Sequence, residues 1–253
     1  MPHPIVFAIA LPVGAWHPLF PRMLDSIRTQ NARVELALLD ASGDPRVAEA
    51  AEASGLDFHY RRAGPDSGQA AAIAEGWRET GGEVLAWLNA DDLLAPGALA
   101  LASDAFARDP GLDVFYGDST IIDAQGRDLG RHGQVADISP LLLRSNIISQ
   151  PSCFVRRRAV DPLGGIDESL HYTMDWDLWV RLYMAGARFE RTREVLSHVY
   201  WGADTKTASL STRRLGEMAR IAARHAGPWN AAKTVMATIH HGLFEHKQRR
   251  RPA

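Results

Sequence analysis

The chain has 253 residues, 46% of them hydrophobic and 23% charged, with a net formal charge of −2. That is a globular composition, long enough for one large domain or a domain with an appended module, and it lacks the basic surplus of a nucleic-acid binder. One cysteine, Cys153, excludes an internal disulfide and suits a reducing compartment, and no apolar run approaches the roughly 18–20 residues that span a bilayer.

The opening MPHPIVFAIALPV is apolar, but no Lys or Arg precedes it, so it reads as a strand over residues 5–11 and not as a signal peptide. Residues 19–30 read as a helix with Leu24 and Ile27 three apart. Residues 34–39 form a second apolar run that ends at Asp40 and turns through DASGDP. An alanine-rich helix follows over 45–54, with Gly55 as its stop. Residues 56–62 are a third strand, AGPDSG a loop, and 69–80 a helix closed by Gly81 and Gly82. The fourth strand covers 84–88, and Pro96 reads as the first residue of a helix to 108. Such alternation predicts an α/β fold with a mostly parallel sheet covered on both faces.

Beyond a strand at 114–122 the alternation weakens. DAQGRD is a hairpin-type turn, the stretch to 152 is irregular, and helical patterning returns at 175–185, 212–226 and 230–248. Residues 1–120 therefore read as a nucleotide-binding half, 121–210 as an acceptor half on the same sheet, and 211–253 as C-terminal helices with a basic tail. Val235, Ile239 and Leu243 recur at helical spacing ahead of HKQRRRPA. Such a segment either packs on the main body or lies on an anionic membrane surface.

Asp40, Asp66 and the pair Asp91–Asp92 follow successive predicted strands, so a parallel sheet carries all of them to one edge, where ligands bind. Asp40 also suits an Asx turn with Ser42 and Gly43, and Asp66 a cap for the helix near Gly68. The pair is harder to assign to structure. A cap for a helix at Pro96 would sit at Ala95, and adjacent carboxylates repel unless a cation lies between them. Hard carboxylate oxygens suit Mg²⁺ or Mn²⁺, with phosphate oxygens and water completing the shell, which points to a diphosphate. Neither G-x-x-x-x-G-K-[ST] nor G-x-G-x-x-G is present, which disfavours a P-loop NTPase and a dehydrogenase.

DSGQAAAIAEGWRETGGEVLAWLNADDLLAPGAL resembles the central block of family 2 glycosyltransferases, inverting enzymes of the GT-A fold. GGIDESLHYTMDWDLWVRLYMAG resembles their second block, and NIISQPSCFVRR between them also fits. The resemblance implies that Asp40 recognises the nucleotide base and that Asp66 helps fix base or ribose. It places Pro12 in the same nucleotide-binding set, Asp91 near the ribose, Asp92 on the metal and Asp175 as general base.

A base on the acceptor side and a cation on the leaving side are what a single inverting displacement needs. Asp175 also suits the first turn of a helix capped by Thr173, where acids favour the dipole. Asp177 and Arg181, four apart, read as a helix ion pair. Trp179 reads as core, whereas Trp176 divides evenly between core and a platform for the acceptor sugar. Many members of the family carry an Arg-x-His element near the end of the catalytic region. Here HVYWGADTKTAS puts Tyr200 and Gly202 at those places, with His198 nearby and Lys206 as a candidate diphosphate contact.

The implied activity is inverting transfer of a sugar from a UDP-, dTDP- or GDP-linked donor to a saccharide or lipid-linked hydroxyl acceptor. The expected setting is cytoplasmic, with the basic C-terminus compatible with the cytoplasmic face of a membrane. Two alternatives stay open. A sugar-phosphate nucleotidyltransferase would need a Gly- and Arg-rich first loop, which PVGAWHP does not provide. A non-catalytic sugar-nucleotide-binding relative would have no use for Asp175.

Overall fold

The computed structural model describes residues 4–133, 135–202, 205 and 211–249, with side chains described as far as residue 239. Its first half repeats strand and helix. Strand β1 (Val6–Val13) leads to α1 (Phe20–Arg28), β2 (Arg33–Asp40) to α2 (Pro45–Ala53), and β3 (Phe58–Ala63) to α3 (Gln69–Arg78), before β4 (Val84–Trp87). These four strands are parallel, in the order β3-β2-β1-β4. Local chemistry sets the boundaries. Asp44 caps α2 by accepting from the Arg46 amide, and Gly55 sits at φ 66°, just past that helix.

Alternate residues of β1 face opposite layers. Phe7, Ile9, Leu11 and Val13 pack with Phe20, Met23, Leu24 and Ile27 of α1, while Ala8 and Ala10 lie under α3 with Ala70, Ile73 and Trp77. Small residues on that second face let α3 come close. A Cβ on Gly76 would stand 2.9 Å from the Ala10 Cβ and 3.2 Å from the Ala37 Cβ. Arg157 closes the far end of α3, donating to the carbonyls of Trp77, Thr80 and Gly82.

The rest of the sheet is mixed and ties the two halves together. After β5 (Leu93–Leu94) and α4 (Ala98–Arg108), strand β6 (Val114–Ile122) forms a hairpin with β7 (Asp128–Arg131). Strand β8 (Cys153–Arg156) lies antiparallel between β4 and β6, β9 (Phe189–Tyr200) runs parallel to β6, and β5 pairs antiparallel with β9. A one-turn helix α5 (Arg157–Val160) follows β8, α6 (Met174–Met184) precedes β9, and α7 (Thr212–Ala226) and α8 (Pro228–Arg249) end the chain. Ile221, Ala222 and Ala231 of the last two helices join the core beneath α6.

Two expectations are corrected. The helix read as starting at Pro96 starts at Ala98, after Gly97 in the left-handed region. The reason is β5: Leu93 and Leu94 pair with His198 and Ser197, and the Ala95 amide donates to the Leu196 carbonyl, which leaves Pro96 in a turn. The predicted Thr173 cap is also absent as a side-chain bond. Thr173 occupies the N-cap position, but its hydroxyl donates to Glu217 on α7. Among the described residues no helix is long and apolar enough to cross a membrane.

Candidate active site

The parallel strands end together. Val13 stands opposite Asp40 and Asp40 opposite Ala63, so Pro12, Asp40, the 64–68 loop and the residues after β4 share one edge. Asp40 accepts from both the amide and the hydroxyl of Ser42 on Oδ1, at 2.9 and 2.6 Å, which is the Asx-type turn its position suggested. Asp66 accepts the Gly68 amide at 2.9 Å on Oδ1 and Arg62 at 3.1 Å on Oδ2, so it shapes the loop before α3.

Asp92 is only 4% exposed. Its Oδ1 accepts the Tyr200 amide at 3.1 Å and its Oδ2 accepts the Asn89 side-chain amide at 3.0 Å. Burial, and then the neighbouring charge of Asp91, push its carboxyl well above the usual carboxylate range, against the pull of those two donors. A carboxylate held by two donors, with no cationic side chain among the described groups that shift it, fits a divalent cation. Each oxygen keeps a lone pair beyond the one its donor uses. Among the described residues no three His, Cys, Asp or Glu side chains cluster as a metal site.

Asp175 stands in the first turn of α6, its Oδ2 accepting Asn146 Nδ2 at 2.8 Å. Burial raises its pKa, opposed by the Trp176 amide, by Asn146 and by the positive charge of Arg214. The Cys153 thiol is buried nearby and pushed up by burial and by the Asp175 charge. A carboxyl raised in this way is a better proton acceptor once ionised.

One segment touches both acidic groups. Asn146 holds Asp175, and four residues on, Gln150 donates to the Trp87 carbonyl at 2.8 Å while its Oε1 lies 3.5 Å from Asn89 Nδ2. Asn89 in turn accepts from Gln69 Nε2 at 2.6 Å and donates to Asp92. The ring of Trp179 stacks on Trp87 at 5.8 Å, fixing α6 to the end of β4. Segment 146–150 therefore spans from the Asp92 side to the Asp175 side.

Trp176 is corrected: it is 1% exposed and its indole donates to the Leu142 carbonyl, so it is core and not an acceptor platform. Trp179 is core, as expected, and Asp177 pairs with Arg181 at 2.6 Å. Lys206 and much of the basic tail lie outside the described residues. The sequence reading missed Asn89, Asn146, Gln150 and Glu217. The signal for the first three was available, since side-chain amides set in apolar surroundings (WLNADD, SNIISQP) need partners.

A parallel sheet continued by antiparallel strands, with Asp40, Asp66 and Asp92 at its carboxyl edge, has the architecture of the GT-A glycosyltransferases. The particular family follows from the sequence: residues 17–163 match glycosyl transferase family 2, and the chain belongs to it. The O-antigen biosynthesis protein RfbC of Myxococcus xanthus is 33% identical over 168 residues, which are 65% of this chain but 13% of that protein. Among solved structures, the mannosyltransferase PcManGT from Pyrobaculum calidifontis, in complex with GDP-Man and Mn²⁺, aligns with a TM-score of 0.66 at 18% identity. That alignment covers 95% of this chain and 75% of that one. TarS residues 1–349 from S. aureus, in complex with UDP, aligns at 0.64 and 15% identity, covering 93% and 71%. At those identities the likeness shows the fold.

Proposed function

We propose that this domain transfers a sugar from a nucleoside-diphosphate donor to a hydroxyl acceptor with inversion, assisted by Mg²⁺ or Mn²⁺. The observation that carries the proposal is the 146–150 segment, which joins the buried carboxylate of Asp92 to the half-buried one of Asp175. Asp92, beside a second acid, suits a cation. Asp175, alone and raised, suits a proton.

In this reading Asp40 and Asp66 bind base and ribose, Pro12 lines the nucleotide, and Asp91 lies near the ribose. Asp92, with Asp91, would hold the divalent cation, which when bound offsets the charge that develops on the diphosphate. Asp175 takes the proton of the acceptor hydroxyl as that oxygen attacks the anomeric carbon. The bond from that carbon to the diphosphate oxygen breaks in the same displacement. Asn146 keeps Asp175 ionised and aimed, and Asn89 does the same for Asp92.

PcManGT is described with GDP-Man and Mn²⁺ and TarS with UDP and UDP-GlcNAc, and both support a nucleotide-sugar donor. The name of RfbC supports a surface-polysaccharide or lipid-linked acceptor. Work at the cytoplasmic face of a membrane fits the exposed Trp229, Met236 and Ile239 of α8.

Calorimetric titration of UDP, dTDP and GDP, with and without Mn²⁺, tests the donor site on wild type and Asp92→Ala. Metal-dependent binding of one nucleotide, lost in the variant, is the expected result. Failure of all three to bind a folded wild-type protein would refute the donor site.

A further inference from the structure

The turn that delivers Asp175 is held from outside its own helix. Glu217 of α7 is 4% exposed and lies against residues 171–173. It accepts the amides of His171 at 3.0 Å, Tyr172 at 2.8 Å and Thr173 at 3.2 Å, together with the Thr173 hydroxyl at 3.2 Å. Arg213, one turn earlier on α7, donates to it at 3.2 Å. Burial alone would raise this carboxyl. The Tyr172 and His171 amides, then Thr173 and Arg213, outweigh burial and hold it below the usual range.

Three consecutive amides converging on one carboxylate fix the backbone path into α6. The Thr173 hydroxyl, which would otherwise cap the helix, is spent on the same group. Asp175 follows Thr173 by two residues, so its carboxylate cannot move far while that turn is clamped. The same helix brings the positive charge of Arg214 toward Asp175.

We propose that Glu217 is a positioning residue for Asp175, clamping the 171–173 turn so that the proton-accepting carboxylate meets the acceptor hydroxyl. This rests on the assignment of Asp175 as general base given above. It makes α7, which lies outside the family match at 17–163, part of the catalytic machinery.

Among the described residues, the groups facing Asp175 are Asn146, Cys153 on β8 and Arg214 on α7, and all are retained in Glu217 variants. A loosened turn admits water to Asp175 and so lowers its pKa. A misplacement of about 1 Å costs on the order of 100-fold in rate.

The experiment compares wild type, Glu217→Ala and the isosteric Glu217→Gln, with Asp175→Asn as reference. Hydrogen exchange reports the amides of 171–173, and Mn²⁺-dependent nucleotide affinity reports the donor site. Nucleotide release from UDP-GlcNAc and GDP-mannose against pH reports turnover. In Glu217→Ala we expect faster exchange confined to that turn, unchanged nucleotide affinity, kcat down about 100-fold at unchanged donor KM, and the acid limb moved to lower pH. Glu217→Gln, which keeps an acceptor oxygen, falls between.

Unchanged exchange at 171–173 in both variants overturns the clamp, whatever the activity. Faster exchange with wild-type kcat and pH profile overturns the positioning role and leaves Asp175 as base. Full activity in Asp175→Asn overturns the base assignment and the positioning role with it.

Discussion

Replacing Asn146 by leucine tests the Asp175 assignment without knowledge of the acceptor. Leucine keeps the branching of asparagine at Cγ, with methyls in place of the amide oxygen and nitrogen, but removes the Nδ2 donor that lies 2.8 Å from Asp175 Oδ2. It also removes the acceptor for the Ile148 amide at 3.3 Å, a long bond of small worth. A hydrogen bond to a charged group contributes about 1.5–3 kcal/mol. Divided by about 1.4 kcal/mol per pH unit, its loss moves the Asp175 titration upward by about one to two units. Carboxyl ¹³C resonances in aspartate-labelled protein, assigned with Asp175→Asn, read that shift directly.

The stability of Asn146→Leu checks the same figure independently. Burial already raises the folded-state pKa of Asp175 above its unfolded value. A raised acid costs stability that appears as pH climbs from the unfolded value through the folded one. The penalty of the variant should therefore be full, about 1.5–3 kcal/mol, at pH 8 and should shrink to that of neutral hydrogen bonds at about pH 3 and below, where the carboxyl is protonated in both states. An Asp175 midpoint that stays still or falls, or a penalty independent of pH, would show that Asn146 does not support the charged carboxylate.

Other perturbations probe the rest of the frame. Asp92→Asn removes a buried charge whose pKa burial and Asp91 have raised, so the metal-free variant should lose less stability than wild type as pH rises to 8. Thermal denaturation should also show the Mn²⁺-induced upward shift of wild type missing from it. Gly76→Val drives a side chain into Ala10, Leu39 and Ala37, at 2.9, 3.0 and 3.2 Å from the new Cβ, and should cost about 1–3 kcal/mol, read as a melting temperature lower by several degrees. Arg157→Ala uncaps the carbonyls of Trp77, Thr80 and Gly82 and should lower the urea midpoint by an amount equivalent to about 1–3 kcal/mol, with nucleotide binding unchanged.

The first half was legible because its signals are local. Apolar runs end in Asp40, in AGPDSG and in NADD, and parallel topology then brings separated loops to one edge. Strands β5, β8 and β9 were not foreseen, because their partners are distant in sequence: β5 and β8 pair antiparallel, and β9 lies parallel to β6. Strand β9 in particular carries Glu190, Arg191, Arg193 and Glu194, so its first half shows no clean alternation of apolar and polar residues. Trp176 could not be resolved between core and surface from periodicity, since the burying partner is the irregular segment at Leu142. Glu217 was invisible for a related reason: its partners are main-chain amides, which every sequence contains.

Main-chain amides matter equally at Tyr200, which the resemblance puts where many family members carry the first residue of an Arg-x-His element. Viewed as a side-chain substitution, it suggests a weakened donor site. The contact that reaches Asp92 from β9 is the Tyr200 main-chain amide, and Tyr200 is paired with Ile122 in the β6–β9 register. Any non-proline residue at position 200 supplies that donor once the strand is in place. The orientation of Asp92 therefore depends on the strand register and on Asn89, while the ring at 200 packs against His17, 4.6 Å away. A departure from a motif removes a function only where the side chain performed it, and for holding Asp92 in place it is the backbone that performs it here.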